Sequence, residues 1–205
     1  MPGRVFLTTP PDAIAAQLGV SSDPIADEPP RRNIAPGQEI IVLITEGLTR
    51  MRWGMIPVGR VNARGRPVME TIVNARSETV FGKSAFDGVG RAVVPVDGWY
   101  EWTGKARRKT AWRLRAADGG VLYFAAITDV WTAPGGRSVP QVATVTCQPN
   151  ADVRDVHHRM AVILPNEAIA TWLTGTEKDA SALMVPWPDG RLVVEPAGDV
   201  DWSQP

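Results

Sequence analysis

From Ala92 to Cys147 the chain reads as strand after strand, each ended by a turn. Apolar or alternating runs cover residues 92–96, 98–102, 111–115, 121–130 and 139–147. Breaks fall at Gly104 to Lys109, at Asp118-Gly119-Gly120 and at Pro134 to Ser138. Tight turns between strands predict an antiparallel sheet. Residues 40–45 and 48–53 add a hairpin around Glu46-Gly47, and residues 160–164 a further strand. Helices are few and short. Residues 9–19 read as one, with Thr9 as cap, Pro10 in the first turn and Gly19 as the stop. Residues 166–173 and 177–184 read as two more, capped by Asn166 and Thr176. The expectation is an α+β fold: a single domain, residues 1–205, with a curved, barrel-like antiparallel β-sheet core and short peripheral helices. A length of 205 residues suffices for one well-buried domain and is marginal for two.

Composition narrows the function classes. No apolar run approaches the roughly 20 residues of a membrane span, so no membrane partner is expected. Val5-Phe6-Leu7 is too short for the apolar region of a signal peptide, and Pro10-Pro11 follow at once; the expected compartment is the cytoplasm. The single cysteine, Cys147, excludes an intramolecular disulfide and a cysteine-based zinc site. His157 and His158 have no Asp/Glu/His cluster at ligand spacing around them, so neither a metal nor another cofactor is expected. A net charge of zero argues against a nonspecific DNA coat. The distribution is uneven, however. Arg50, Arg52, Arg60, Arg64, Arg66 and Arg76 face only Glu70, and acids dominate after Glu177. Arginine forks suit phosphate oxygens. A solvated basic loop beside an acidic tail would look the same.

Three polar groups stand beside apolar strand segments: Asn74 after Thr71-Ile72-Val73, Glu101 between Tyr100 and Trp102, and His157 before Met160. Polar groups beside core segments are costly unless paired, which points to a shared site. Glu101 in aromatic surroundings would have a raised pKa suited to proton transfer; the alternative is a strand glutamate facing solvent. Alternation puts Trp99 and Glu101 on one face and Tyr100 and Trp102 on the other. Adjacent histidines on an extended segment face opposite ways, so His157 and His158 are not expected to act together. Asn74 is either a site amide or a turn former, and Arg76 shares its face. Cys147 reads as a buried strand residue. Trp53 and Trp102 are candidate base-stacking surfaces.

Several motifs, in order, resemble the SRAP family, the SOS-response-associated peptidases that process abasic sites in single-stranded DNA. They are Asn33-Ile-Ala-Pro-Gly37, Met51-Arg-Trp-Gly-Met-Ile-Pro57, Asn74-Ala-Arg-Ser-Glu-Thr79, Pro95-Val-Asp-Gly-Trp-Tyr-Glu-Trp102 and His157-His-Arg-Met160. The likeness runs from Gly3 to about Leu173, with a divergent segment at residues 174–205. It implies a monomer that binds single-stranded DNA containing abasic sites and associates with the nucleoid when bound. In that family an amino-terminal cysteine forms a Schiff base with the ring-opened sugar and then closes a thiazolidine. Carried over by motif, the catalytic positions are Pro2, Asn74, Glu101 and His157; the DNA-binding positions are Gly3, Arg4, Pro36, Arg76, Trp102 and Thr146. The family begins Met-Cys-Gly-Arg, whereas this chain begins Met1-Pro2-Gly3-Arg4. Val58-Gly59 stand where the family has an aromatic residue, Ala161 replaces a proline, and the usual closing strand near the C-terminus is missing. Without the thiol, Pro2 serves either as a secondary-amine nucleophile once Met1 is removed, or as part of a site that binds the lesion without bonding to it. A peptidase or amidohydrolase reading finds no serine, cysteine or metal arrangement to support it.

Overall fold

Asp97 is the corner at which the chain passes from one sheet to another. A computed structural model describes residues 2–57, 64, 71–105, 108–133 and 135–204. The basic loop expected at residues 58–67, with Val58 and Gly59, lies outside these apart from Arg64, and so does Met1. The chain opens with β1 (Arg4–Leu7), α1 (Pro11–Leu18), β2 (Arg31–Ile34), β3 (Glu39–Ile44), β4 (Gly47–Trp53) and the short β5 (Asn74–Arg76). Next come β6 (Gly90–Val96), β7 (Gly98–Lys105), β8 (Arg108–Ala116), β9 (Leu122–Thr132) and β10 (Ser138–Cys147). The chain ends with β11 (Met160–Ala161), β12 (Ile163–Leu164), α2 (Ile169–Thr174), α3 (Glu177–Ala182) and β13 (Leu192–Pro196).

Two sheets result. One has the order β13-β8-β7-β1-β2, antiparallel throughout. In the other, β10, β4, β3, β6 and β9 close into a ring through the β9–β10 ladder. A ring of five strands cannot alternate direction all the way round. The parallel step falls between β4 and β10, and β5 also joins β10 in parallel. The expected barrel-like α+β domain is therefore present, antiparallel in all but these two ladders. The C-terminal segment departs from expectation: β13 pairs with β8 along Leu192↔Ala116 to Pro196↔Trp112 and closes the edge of the first sheet.

The core lies within the ring and between the two sheets. Trp99 of the first sheet meets Phe124 of the ring edge to face, with centroids 5.5 Å apart. The Trp172 indole N–H donates to the Ala92 carbonyl at 2.8 Å and seats α2 on β6. Thr176 caps α3 in a capping box with Asp179, as its sequence suggests. Asn166 caps nothing; a 3-10 turn precedes α2, with Pro165 before it. Thr9 does not cap α1 either, because Asp97 claims it. One Asp97 oxygen accepts from the Thr8 N–H and hydroxyl and the Thr9 N–H, at 2.6, 2.7 and 3.0 Å; the other accepts the Thr9 hydroxyl at 2.6 Å. Gly98 follows because a Cβ there would sit 2.1 Å from the Leu114 carbonyl oxygen and 2.7 Å from the Phe6 ring.

Asp97 therefore fixes the end of β1 and, through it, the position of the chain's first residues. Hydrogen bonds to a charged group contribute about 1.5–3 kcal/mol each, and not additively. Asp97→Ala is expected to lower the unfolding free energy by roughly 2–3 kcal/mol in an equilibrium urea titration. A loss under about 0.5 kcal/mol would show that the corner holds without the carboxylate.

Candidate functional site

Strand β10 is the bench on which the site is assembled. Its edge pairs with β4 at Gln141 and Val142 and then with β5 at Thr144, Val145 and Thr146. Between the two, buried Gln141 mimics a strand: its amide exchanges hydrogen bonds of 2.9 and 2.8 Å with the Ile56 backbone. In β5, Ala75 points into the core while Asn74 and Arg76 point the other way, and Arg76 is exposed. Asn74 is held at both ends of its amide. Its Oδ1 accepts the Thr144 hydroxyl at 2.5 Å, and its Nδ2 donates to the Pro2 carbonyl at 2.9 Å. Pro2 is buried, just ahead of β1, whose Arg4 is registered with Tyr100 of β7.

Alternation in β7 turns Glu101 inward with Trp99, and Glu101 is only 3% exposed. Burial pushes its carboxyl up from the ordinary value, partly offset by the positive charge of the amino terminus. His157 moves the other way. Burial first, and then the charges of the amino terminus and His158, bring it down to about 4. Its Nδ1 lies 3.0 Å from the Arg159 N–H, which can only donate, so the neutral ring carries its proton on Nε2. The two histidines do not face opposite ways. Their rings stack at 4.3 Å, because the segment before them is a series of turns, with the His157 N–H bonded to the Val153 carbonyl.

Three further residues assemble the site and received no role from the sequence. Arg159 is buried and clamps Glu78 with distances of 2.5 and 2.9 Å; it also donates to the Thr146 carbonyl and, at 3.4 Å, to the Thr146 hydroxyl. The clamp draws the Glu78 carboxyl down to about 2, chiefly through the Arg159 hydrogen bonds. This ties the turn after β5 to the segment that carries His157. Opposite charges inside two of the motifs, Glu78 and Arg159, were the available signal. Thr144 is the third, two residues from Thr146 on the same strand.

The other singled-out residues lie apart from this cluster. Thr146 is fully buried, its hydroxyl donating to the Ala75 carbonyl at 3.2 Å. Trp53 is core and fully buried. Cys147 is buried too, with its thiol pushed up to about 11 by burial. Gly3 and Pro36 are half-buried. Arg4 and Trp102 belong to the outer face of the first sheet, where Arg4 donates to Asn33 Oδ1 at 2.7 Å. A cleft of about 530 Å³ opens beside Asn74 and Arg76, with Lys83 on its wall. Among the described residues no group of three His, Cys, Asp or Glu could hold a metal, and no helix is long and apolar enough to cross a membrane.

Two outcomes follow. The His157 ring should titrate near pH 4 by NMR. Because its folded value lies below the ordinary 6.5, the stability it contributes is full above pH 6.5 and falls away as the pH drops toward 4. A midpoint at 6 or above would place the ring in water. Thr144→Val keeps the volume and removes one anchor of Asn74, at a cost of roughly 1 kcal/mol. The Asn74 side-chain amide resonances should shift and broaden; unchanged resonances would mean that Pro2 alone orients the amide.

Comparison with known proteins agrees with this geometry. The profile of the family described as SOS response associated peptidase (SRAP) matches residues 1–199. The chain is 30% identical over 192 residues to the abasic site processing protein YoqW of Bacillus subtilis, covering 89% of this chain and 84% of that one. It is 28% identical over 150 residues to the abasic site processing protein YedK of Escherichia coli, covering 70% and 64%. A crystal structure of a Bacteroides thetaiotaomicron protein shares the fold, with a TM-score of 0.84 at 19% identity over 96% of this chain and 92% of that one. With the profile spanning nearly all of the chain and the motif residues of distant segments gathered on β10 and β7, this protein belongs to the SRAP family of abasic-site-processing proteins.

Proposed function

We propose that this protein binds single-stranded DNA at abasic sites and acts on the exposed sugar aldehyde through the amine of residue 2. The observation that carries the reading is the convergence on the start of the chain. Asn74 holds the Pro2 carbonyl, and both Glu101 and His157 feel the charge of the amino terminus. The names of the relatives, abasic site processing proteins, support the substrate class.

Once residue 2 is the amino terminus, its secondary amine adds to the C1′ aldehyde. A proton donor releases the hydroxyl as water, leaving an iminium cation. Glu101 suits that donation, since burial favours its neutral, protonated form. His157, neutral at pH 7, suits removal of the C2′ proton that the iminium acidifies. The electrons then expel the 3′ phosphate, and water hydrolyses the iminium to free the amine. Arg76, exposed beside Asn74, suits a backbone phosphate.

A second reading, non-covalent shielding of the lesion, draws on one observation. The chain has a single cysteine, and it is buried, so no thiol is at hand to close a thiazolidine.

Borohydride trapping on a uracil-excised oligonucleotide separates the two. The covalent reading expects an adduct that survives denaturation only when reduced, lost in Glu101→Gln and His157→Ala. A heat-stable adduct formed without reductant, or none with it, would overturn amine chemistry at Pro2. Pro2→Cys is expected to yield an adduct stable without borohydride; failure in a folded variant lacking Met1 would mean that the surrounding groups do not serve this chemistry.

A further inference from the structure

The outer face of the first sheet carries an ensemble that the reactions above do not use. The alternation that buries Glu101 turns Tyr100 and Trp102 outward. The register sets Arg4 and Arg113 on either side of Tyr100. Arg32, Arg113 and Arg115 line a cleft of about 540 Å³ with Phe6 and Tyr100. Rings and guanidinium groups on one open sheet face are the chemistry that binds a nucleic-acid single strand: bases stack on the rings and phosphates pair with the forks.

The chain's own end lies on this face. Arg113 donates to both carboxylate oxygens of Asp199 at 2.8 Å. The Trp202 ring packs 4.9 Å from Tyr100 and 5.3 Å from Trp102. Asn33, which accepts from Arg4, donates to the carbonyls of Trp202 and Gln204 at 3.1 and 2.7 Å. One six-residue segment thus engages Arg4, Asn33, Trp102 and Arg113 together. Asp199-Val200-Asp201-Trp202 offers carboxylates where a strand would bring phosphates and an indole where it would bring a base. The attachment is light. The Asp199 side chain is 64% exposed and Trp202 is 37% exposed. Ion pairs this open are screened by salt and hold weakly.

We propose that this face extends the single-strand-binding surface, and that residues 199–204 occupy it in the free protein until a DNA strand displaces them. The strand's phosphates then take Arg4 and Arg113, and a base takes the place of Trp202 on Trp102. The proposal rests on the reading of this protein as a single-strand binder and adds a competition to it.

The test uses the full chain and an unmodified 15-nucleotide single strand. Asp199→Asn with Trp202→Ala is expected to bind roughly three- to tenfold tighter than wild type at low salt, with a smaller gain as salt rises. In wild type labelled with 5-fluorotryptophan, the Trp202 resonance, assigned through Trp202→Phe, should move to a solvent-exposed position when DNA is added. That measurement stands even if the double variant fails to fold. Equal or weaker binding by a folded variant, or an unmoved Trp202 resonance at saturation, overturns the competition and leaves strand binding intact. No binding by wild type or variant overturns both.

Discussion

The edge of β10 is the constraint on which the rest of this molecule depends. Closing a ring of five strands forces one parallel contact, and that contact falls between β4 and β10. A parallel neighbour that stops at Trp53 leaves the remainder of the β10 edge with unpaired backbone groups, which cannot stay buried without partners. Gln141 fills the first gap with its side chain, and β5 fills the second. Asn74 and Arg76 are where they are because β5 completes a ladder. The same strand then supplies Thr144 to orient Asn74 and the Thr146 carbonyl to anchor Arg159.

Electrostatics in the site follow from burial more than from partners. The largest influence on Glu101 and on His157 is desolvation, which favours the neutral form of each: a protonated acid and an unprotonated base. The positive amino terminus opposes burial at Glu101 and reinforces it at His157. The charged pair nearby, Glu78 with Arg159, has the opposite character. It is a fixed, partly exposed clamp that ties two loops and has no need to change protonation near neutral pH.

A single strand, β7, divides the two surfaces. Its inward residues, Trp99 and Glu101, serve the core and the chemistry; its outward residues, Tyr100 and Trp102, face the C-terminal segment. One shift in register would exchange these roles completely. The Asp97 corner and Gly98, with no room for a side chain, hold that register against β1 and β8.

Local chemistry determined a good deal by itself. Turn residues and alternation dictated the five strands from Ala92 to Cys147, and the capping box at Thr176 set the start of α3, because both signals act within a few residues. Alternation likewise told which aromatic residues share a face with Glu101. What only the tertiary structure decided involved distant partners. Thr9 reads as a cap until Asp97 takes its hydroxyl from 88 positions away. The arginine-rich stretch reads as a phosphate path, yet Arg50 is neutralised by Asp27 and Glu28, and Arg52 turns back onto the Gly54 carbonyl. The acidic end reads as solvated, yet it supplies β13 and covers Trp102. Thr144, Glu78 and Arg159 carry no local signature of their roles. Each acts on a group brought to it by barrel closure, and no spacing along the chain encodes which edge of β10 will be left open.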